Sequence, residues 1–211
     1  MSTGQMNVRI DGVGTISDGD YDAIRIDGVG KIQGNVNFKT LKVDGTCKAQ
    51  GNLNGDYIKV DGIFKTNGDI RSKELYIDGL VKTEHNKIYA DKIRVDGMLK
   101  NEGEVNADYV KIDGCATLND LFGDEISINY ENRIGFFHLF HSFKLDKMNT
   151  ANNIECSKLN ACNISCHSIC ATEIHLSNHC VVDHITCNGH LVYDSTCRIR
   201  EIDGDCEKII E

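Results

Sequence analysis

The sequence contains no proline and no tryptophan among its 211 residues. Proline cannot donate the hydrogen bond that joins neighbouring strands, so it is confined to the edges and bulges of sheets. Its absence fits a protein in which nearly every strand lies between two others. The sequence also lacks an apolar run as long as the ~18 residues that a membrane-spanning helix needs. We therefore expect no transmembrane helix.

Positive charge is scarce as well, because 23 Lys and Arg residues stand against 32 Asp and Glu residues. Without a basic excess or a basic face, we expect no nucleic-acid partner. The first residues, Met1 to Asn7, are polar and lack the apolar segment of a secretory leader. We therefore expect a cytoplasmic protein whose ten cysteines are reduced thiols.

What the sequence does contain is the dipeptide Asp-Gly, repeated at a near-constant interval. Its seven copies are Asp11-Gly12, Asp27-Gly28, Asp44-Gly45, Asp61-Gly62, Asp78-Gly79, Asp96-Gly97 and Asp113-Gly114. Successive glycines are 16, 17, 17, 17, 18 and 17 residues apart. A fixed period of this kind is typical of a repeat architecture.

The residues two and four positions before each of these glycines are all aliphatic. They are Val8, Ile10, Ile24, Ile26, Leu41, Val43, Ile58, Val60, Leu75, Ile77, Ile93, Val95, Val110 and Ile112. Residues two apart on a strand share a face, so each repeat predicts a short strand with two inward side chains. Asp-Gly then predicts a turn in which glycine takes a positive φ angle. A second turn is predicted six residues later, where Gly34, Gly51, Gly68 and Gly103 stand.

A repeat of about 17 residues matches one winding of a parallel β-helix, whereas helical repeats need about 30 or more. The sequence therefore predicts an all-β solenoid with windings of this length, interrupted near residues 130–150. Residues 1–128 are predicted to form the regular part, 129–153 a Phe-rich excursion, and 154–211 a Cys/His-rich continuation. Basic residues three before and three after each glycine are expected to form two columns that offset the charge of the aspartates.

The excursion contains a cluster of large apolar side chains. Phe136, Phe137, Leu139 and Phe140 lie close together in it. One interpretation is a non-standard winding that packs against the side of the solenoid. The alternative is a patch that contacts a partner protein or a membrane.

The second half has a different rhythm, with aliphatic residues in steps of five. They are Ile154, Leu159, Ile164, Ile169 and Ile174. This spacing suits a β-helix wall with altered corners, and a pentapeptide-type β-helix is the alternative. Asp203-Gly204, which follows Ile202, is predicted to be one last degenerate copy of the opening motif.

The same half is rich in possible metal ligands. They are Cys156, Cys162, Cys166, Cys170, Cys180, Cys187, Cys197, Cys206, His167, His175, His179, His184 and His190. Zinc sites usually contain a C-x₂₋₄-C pair, and only the steps from Cys162 to Cys166 and Cys170 approach it. We expect structural thiols and no metal. A metal site formed by these three cysteines and His167, or a redox role, is the alternative.

Nothing in the sequence points to catalysis. It contains no P-loop, and no Ser/His/Asp set or pair of carboxylates stands out from the background. We therefore expect a protein that is not an enzyme and has no small-molecule substrate.

Three of the repeats, IRIDGVGKIQGNV, IKVDGIFKTNGDI and IRVDGMLKNEGEV, resemble the windings of bactofilins, the polymer-forming cytoskeletal proteins of bacteria. The segment IECSKLNACNISCHSICATEIHLSNHCVV resembles the additional C-terminal part of the longer form. The resemblance covers Val8 to Asp124 and, more loosely, Ile154 to Cys206. It implies a right-handed parallel β-helix that polymerises end to end without nucleotide, metal or other cofactor.

The resemblance also implies a scaffold for cell shape, envelope or appendage assembly. Its partners would then be further copies of itself and membrane-associated or envelope proteins. A peripheral location at the inner face of the membrane would follow.

Physical chemistry leads to the same expectation, because the terminal windings of a β-helix carry unpaired N–H and C=O groups that invite pairing. We expect the first winding to stack on another molecule through Val8, Ile10, Ile24 and Ile26. The predicted function is a self-assembling cytoskeletal filament. The alternative is a metal- or redox-responsive binding module that uses the Cys/His-rich half.

Overall fold

A computed structural model describes residues 6–129 and 149–211 of the chain. The predicted apolar patch of Phe136, Phe137, Leu139 and Phe140 lies outside these ranges. The described part is built of strands, with 79% of residues in strands and no helix. Within these ranges there is accordingly no helix that could cross a bilayer.

Eighteen strands follow one another along the described chain. They are β1 (Met6–Ile10), β2 (Val13–Ile16), β3 (Gly19–Ile26), β4 (Val29–Gln33), β5 (Val36–Val43), β6 (Thr46–Gln50), β7 (Leu53–Val60), β8 (Ile63–Thr66), β9 (Ile70–Ile77), β10 (Leu80–Thr83), β11 (Ile88–Val95), β12 (Met98–Ile112), β13 (Cys115–Ile128), β14 (Asn149–Cys162), β15 (Ile164–Ser177), β16 (Val181–Tyr193), β17 (Arg198–Asp203) and β18 (Glu207–Ile210).

Each strand pairs in parallel with the strand that lies one winding later. Val8 of β1 pairs with Ile24 of β3, which in turn pairs with Leu41 of β5. After each Asp-Gly the same rule joins β2 to β4 and β4 to β6. The strands thus form a solenoid of about 11 turns with a spacing of about 17 residues. The predicted parallel β-helix is confirmed.

One continuous apolar core fills the interior of the solenoid. Ile24 and Ile26 enter it from the end of β3, Ile32 from β4, and Val36 from the start of β5. Each is almost fully buried. Because inward residues alternate with outward ones, the outward side chains form columns along the solenoid, one residue per winding.

The solenoid continues past the undescribed residues with strand directly on strand. β13 pairs with β14, so Thr117 lies beside Thr150 and Ile128 beside Ala161. Residues 130–148 therefore connect two windings that are stacked on each other. Asn149–Asn153, which were predicted to belong to the excursion, are part of β14.

The first winding of the second half is shorter, which explains the steps of five. Asn149 pairs with Ile164, Ile154 with Ile169, and Leu159 with Ile174. Each pair is 15 residues apart in the sequence. A winding of this length with three faces brings one inward residue to each face at every fifth position.

The prediction that Asp203-Gly204 repeats the opening motif is wrong. In the Asp-Gly corners, the aspartate N–H donates to a carbonyl of the preceding winding, as Asp27 does to Ile10. In the last winding Glu211 makes this contact, with the carbonyl of Tyr193. Asp203 instead pairs with Thr186 at another corner, and Gly204 has a φ angle of 96°.

Candidate self-assembly surfaces

The Asp-Gly corner is a hydrogen-bonding device that joins one winding to the previous one. The N–H groups of Asp27 and Gly28 both donate to the carbonyl of Ile10, at 2.9 and 3.0 Å. The next N–H, that of Val29, donates to the carbonyl of Gly12 at 2.7 Å. The later Asp-Gly copies repeat this pattern of three donors and two acceptors.

Glycine is needed at this corner because the stacked backbones approach closely. A Cβ atom at Gly28 would overlap the carbonyl oxygen of Gly12, and one at Gly62 would overlap that of Gly45. The expected reason, a positive φ angle, is wrong for these corners, since no Asp-Gly glycine of the seven copies has one. At the second turn two of the four glycines have it, with φ angles of 91° at Gly34 and 132° at Gly51, whereas Gly68 and Gly103 do not.

The aspartates of the corner form a column that is neutralised on one side. Arg25, three residues before Gly28, forms ion pairs with Asp27 of its own winding and Asp44 of the next. The same double contact is made by Arg9, Lys59 and Arg94. The column of basic residues three positions before the glycines therefore links neighbouring windings as expected.

The carboxyl pKa values differ between neighbours in the part of this column from Asp27 to Asp78. The hydrogen bond from Arg25 lowers the pKa of Asp27 to about 2. Asp44 and Asp78 have raised pKa values, caused first by desolvation and then by the neighbouring aspartates. The residue three before Gly79 is Tyr76, so Asp78 has no basic partner of its own winding at that position.

The other expected basic column does not neutralise the aspartates. Lys100 pairs with Glu102 at 3.0 Å, within its own winding. In the described ranges Lys31, Lys48, Lys65 and Lys82 form no ion pair. These lysines lie on consecutive windings, about 4.8 Å apart, so their charges repel. The structure thus has a basic column that the overall composition conceals.

At the N-terminal end, β1 and β2 are edge strands. Among the described residues β1 pairs only with β3, and β2 only with β4. Val8 and Ile10 lie in this end winding, while Ile24 and Ile26 lie one winding further in, covered by them. Of the four residues predicted to form the interface, Val8 and Ile10 are therefore the outermost.

The end winding leaves three backbone donors without an acceptor in the described chain. In later windings the groups equivalent to the N–H of Asp11, Gly12 and Val13 donate to the preceding winding. The space that a Cβ of Gly12 would occupy is also open, with no atom within 4 Å. The corner at this end thus has the donors and the clearance that another winding would use.

The apolar interior comes close to the surface at the same end. Ile10 is 8% exposed, and its side chain lies against Gly14, where a Cβ would come within 3.2 Å. Glycine at this inward position leaves room for the isoleucine of the same winding. Met6, at the start of β1, is 54% exposed. A thin apolar layer therefore closes the core at this end.

The C-terminal end is more polar. Ile199 and Ile202 of β17 are only half-buried, and all four residues of β18 are exposed. Lys208 pairs with Leu191, so a lysine takes the inward position that aliphatic residues hold in earlier windings. Ile210 is 65% exposed. Both described ends thus carry unpaired strand edges, but with different side chains.

The predicted metal ligands are not brought together. Cys166 is buried, with its Sγ near the carbonyls of Asn152 and Ser168, whereas Cys170 is exposed. His167 instead contacts Asp183, with 3.0 Å between Nδ1 and Oδ2. One other group could hold an ion within the described ranges, namely His184, Glu201 and Asp203.

Most of the thiols are protected rather than activated. Burial raises the pKa of Cys47, Cys156, Cys166 and Cys197 to about 12. A reactive cysteine has a lowered pKa instead, because the thiolate is the nucleophile. Cys47 packs in line with Phe64, whereas Cys115 lies in line with Met98 at the preceding, half-buried position. These environments favour a structural role.

A shallow groove of about 350 Å³ lies along one corner of the solenoid. Its polar lining includes the carboxylates of Asp108, Asp124 and Glu155. Cys156 also lines it, but burial raises the pKa of this thiol to about 12. The groove therefore offers acidic groups without an activated nucleophile.

No family model matches this chain. No curated protein and no solved structure matches it either. Its function therefore has to be inferred from its own geometry.

Proposed function

We propose that this protein is a structural, cytoskeletal protein that self-assembles end to end through its terminal windings, without nucleotide. The observation that carries the proposal is the N-terminal end winding. There the edges of β1 and β2 are unpaired in the described chain, and Val8 and Ile10 form a thin apolar cover over the core. Exposed strand edges of this kind are templates for pairing with another chain.

The repeat supplies a register for such pairing. Asp11, Gly12 and Val13 carry the donors that in every later Asp-Gly corner meet the preceding winding. A winding of a second molecule that offers two carbonyls at this corner would satisfy them. Stacking in this way repeats, between molecules, the contact that holds the windings together within one molecule.

A filament of this kind would act as a scaffold. The resemblance of the repeats to bactofilins supports a role in cell shape, envelope or appendage assembly. It also supports a cytoplasmic location with peripheral attachment to the inner face of the membrane, and envelope or membrane-associated proteins as partners. In this proposal the protein is not an enzyme and needs no cofactor.

The alternative function is a metal- or redox-responsive module in the Cys/His-rich half. A redox role would need exposed thiols with lowered pKa values, whereas Cys166 and Cys197 have pKa values raised to about 12. A thiolate metal site would need several cysteines at one place, and Cys166 and Cys170 differ in burial and surroundings. The geometry thus favours the structural function.

Negative-stain electron microscopy of the purified, nucleotide-free protein tests the proposal. We expect filaments in the wild type and none, or short ones, in an Ile10→Asp variant. Because Ile10 is part of the core, circular dichroism must first show that this variant is folded. A wild-type protein that stays monomeric at all salt concentrations would overturn the proposal.

A further inference from the structure

A histidine and two carboxylates meet on the outer surface of the last two windings. His184 lies on β16, and Glu201 lies beside it on β17. Asp203, two residues after Glu201, lies beside Thr186. Residues two apart on a strand share a face, so the parallel register brings all three side chains to one side of the sheet.

The distances among these side chains suit a common ligand. His184 Nδ1 lies 3.6 Å from Glu201 Oε2, and Nε2 lies 3.5 Å from Asp203 Oδ2, so each carboxylate lies near a different ring nitrogen. One ion takes only one of these nitrogens, so the carboxylate at the other nitrogen has to move toward it. One ligand atom from each of the three residues lies within 4.8 Å of the others. Atoms bound to one zinc ion lie about 3.3 Å apart, given bonds of about 2.0–2.1 Å. The carboxylates are exposed, so they are free to close the remaining distance.

We propose that His184, Glu201 and Asp203 form a binding site for a divalent transition-metal ion, with Zn²⁺ as the ion that fits best. Imidazole favours zinc and its neighbours over magnesium and calcium, and two carboxylates balance the charge of the ion. Three protein ligands leave the fourth position to water. With the ion on Nδ1, the Thr186 hydroxyl, 3.3 Å from Nε2, would hold the ring by its other nitrogen.

The chain contains a matched site that lacks the second carboxylate. His167 on β15 lies 3.0 Å from Asp183 on β16, also at the surface and also between neighbouring windings. This pair is not part of any group of three potential ligands in the described residues. It therefore serves as an internal control for a histidine paired with one carboxylate.

The proposed site differs from the one that the sequence suggested, because it uses no thiolate. It joins β16 to β17, so the bound ion would fasten the last winding to the rest of the solenoid. It does not depend on self-assembly, since all three ligands lie in one molecule.

Titration of the full-length, untagged, reduced protein with Zn²⁺ and Co²⁺ tests the site. We expect the wild type to bind one ion per chain. In His184→Ala and in the double variant Glu201→Gln/Asp203→Asn, the dissociation constant for the ion should rise about tenfold or more. The His167→Ala variant should bind like the wild type. The Co²⁺ complex should show the weak visible bands of nitrogen and oxygen ligands, without the intense near-ultraviolet band of a thiolate.

Four results would overturn the proposal. They are an absence of binding, binding that survives loss of His184, an equal loss in the His167→Ala variant, and a thiolate band that carries the whole signal. Circular dichroism of each variant distinguishes loss of the site from loss of the fold. Neither the filament assay nor its outcome enters this test.

Discussion

At the scale of single residues, the Asp-Gly corner is governed by the distance between windings. From Gly28 onward, each glycine of the motif lies directly against the glycine carbonyl of the winding before it, so a methyl group has no room. Each aspartate is held by basic residues such as Arg25 that contact two windings at once. The motif therefore binds neighbouring windings to each other as well as forming a turn.

Gly62 and Gly12 provide a matched test of this account. We expect Gly62→Ala to lower the free energy of unfolding by about 2–3 kcal/mol, because its Cβ would overlap the Gly45 carbonyl. Gly12→Ala should stay within about 0.5 kcal/mol of the wild type, since its Cβ would meet open space. Urea denaturation at low protein concentration measures both, and equal effects would contradict the account.

The ion pairs of the corner predict a pH dependence. Because Arg25 lowers the pKa of Asp27 to about 2, this carboxylate stabilises the fold above its unfolded pKa of about 4. Its contribution is lost as the pH falls from about 4 to about 2. We expect Arg25→Gln to lower the melting temperature at pH 7, and the difference from the wild type to shrink across that range.

Lys31→Gln is the control for this experiment. Lys31 forms no ion pair in the described chain. Any difference in melting temperature between Lys31→Gln and the wild type should therefore not shrink as the pH falls. A difference between wild type and Arg25→Gln that stays constant down to pH 2 would show that the ion pair is not its cause.

At the scale of the elements, each winding depends on the one beside it, including across residues 130–148. Asn149 begins β14 at a buried, inward position. Its Oδ1 accepts a hydrogen bond from the N–H of Ala116 at 2.6 Å. A side chain at the start of β14 thus satisfies a backbone donor of β13.

Replacing Asn149 by alanine should therefore be costly. The N–H of Ala116 would remain buried without its acceptor, which costs about 1–3 kcal/mol of stability. Asn152→Ala, at an exposed position of the same strand, should have little effect. Thermal denaturation of the two variants measures the difference, and equal melting temperatures would contradict this role of Asn149.

The first half of the fold could be predicted because aliphatic residues and Asp-Gly mark the same positions in every winding. The second half was harder, because Asn149, Ala161 and Cys166 occupy inward positions without an aliphatic side chain. The pairing of β13 with β14 skips the intervening residues and leaves no local pattern. The His184 group was missed because its members become neighbours only through the register of β16 and β17.

At the scale of the whole molecule, the ends and the sides of the solenoid differ. The sides carry charged columns, among them the column with Lys48 and Lys65, which form no ion pair within residues 6–129 and 149–211. The N-terminal end carries backbone donors that have no acceptor among the described residues, over an apolar layer. The C-terminal end places the exposed Lys208 in line with the buried Leu191. These differences support the proposed end-to-end stacking rather than lateral association.

The most direct test of this conclusion compares two Val→Asp variants of the first winding by sedimentation velocity. Val8 lies half-buried on β1 at the end surface, whereas Val13 points sideways and is 88% exposed. We expect the wild type and Val13→Asp to form large species as concentration rises, while folded Val8→Asp stays small. Equal sedimentation of all three proteins would contradict assembly through the N-terminal winding.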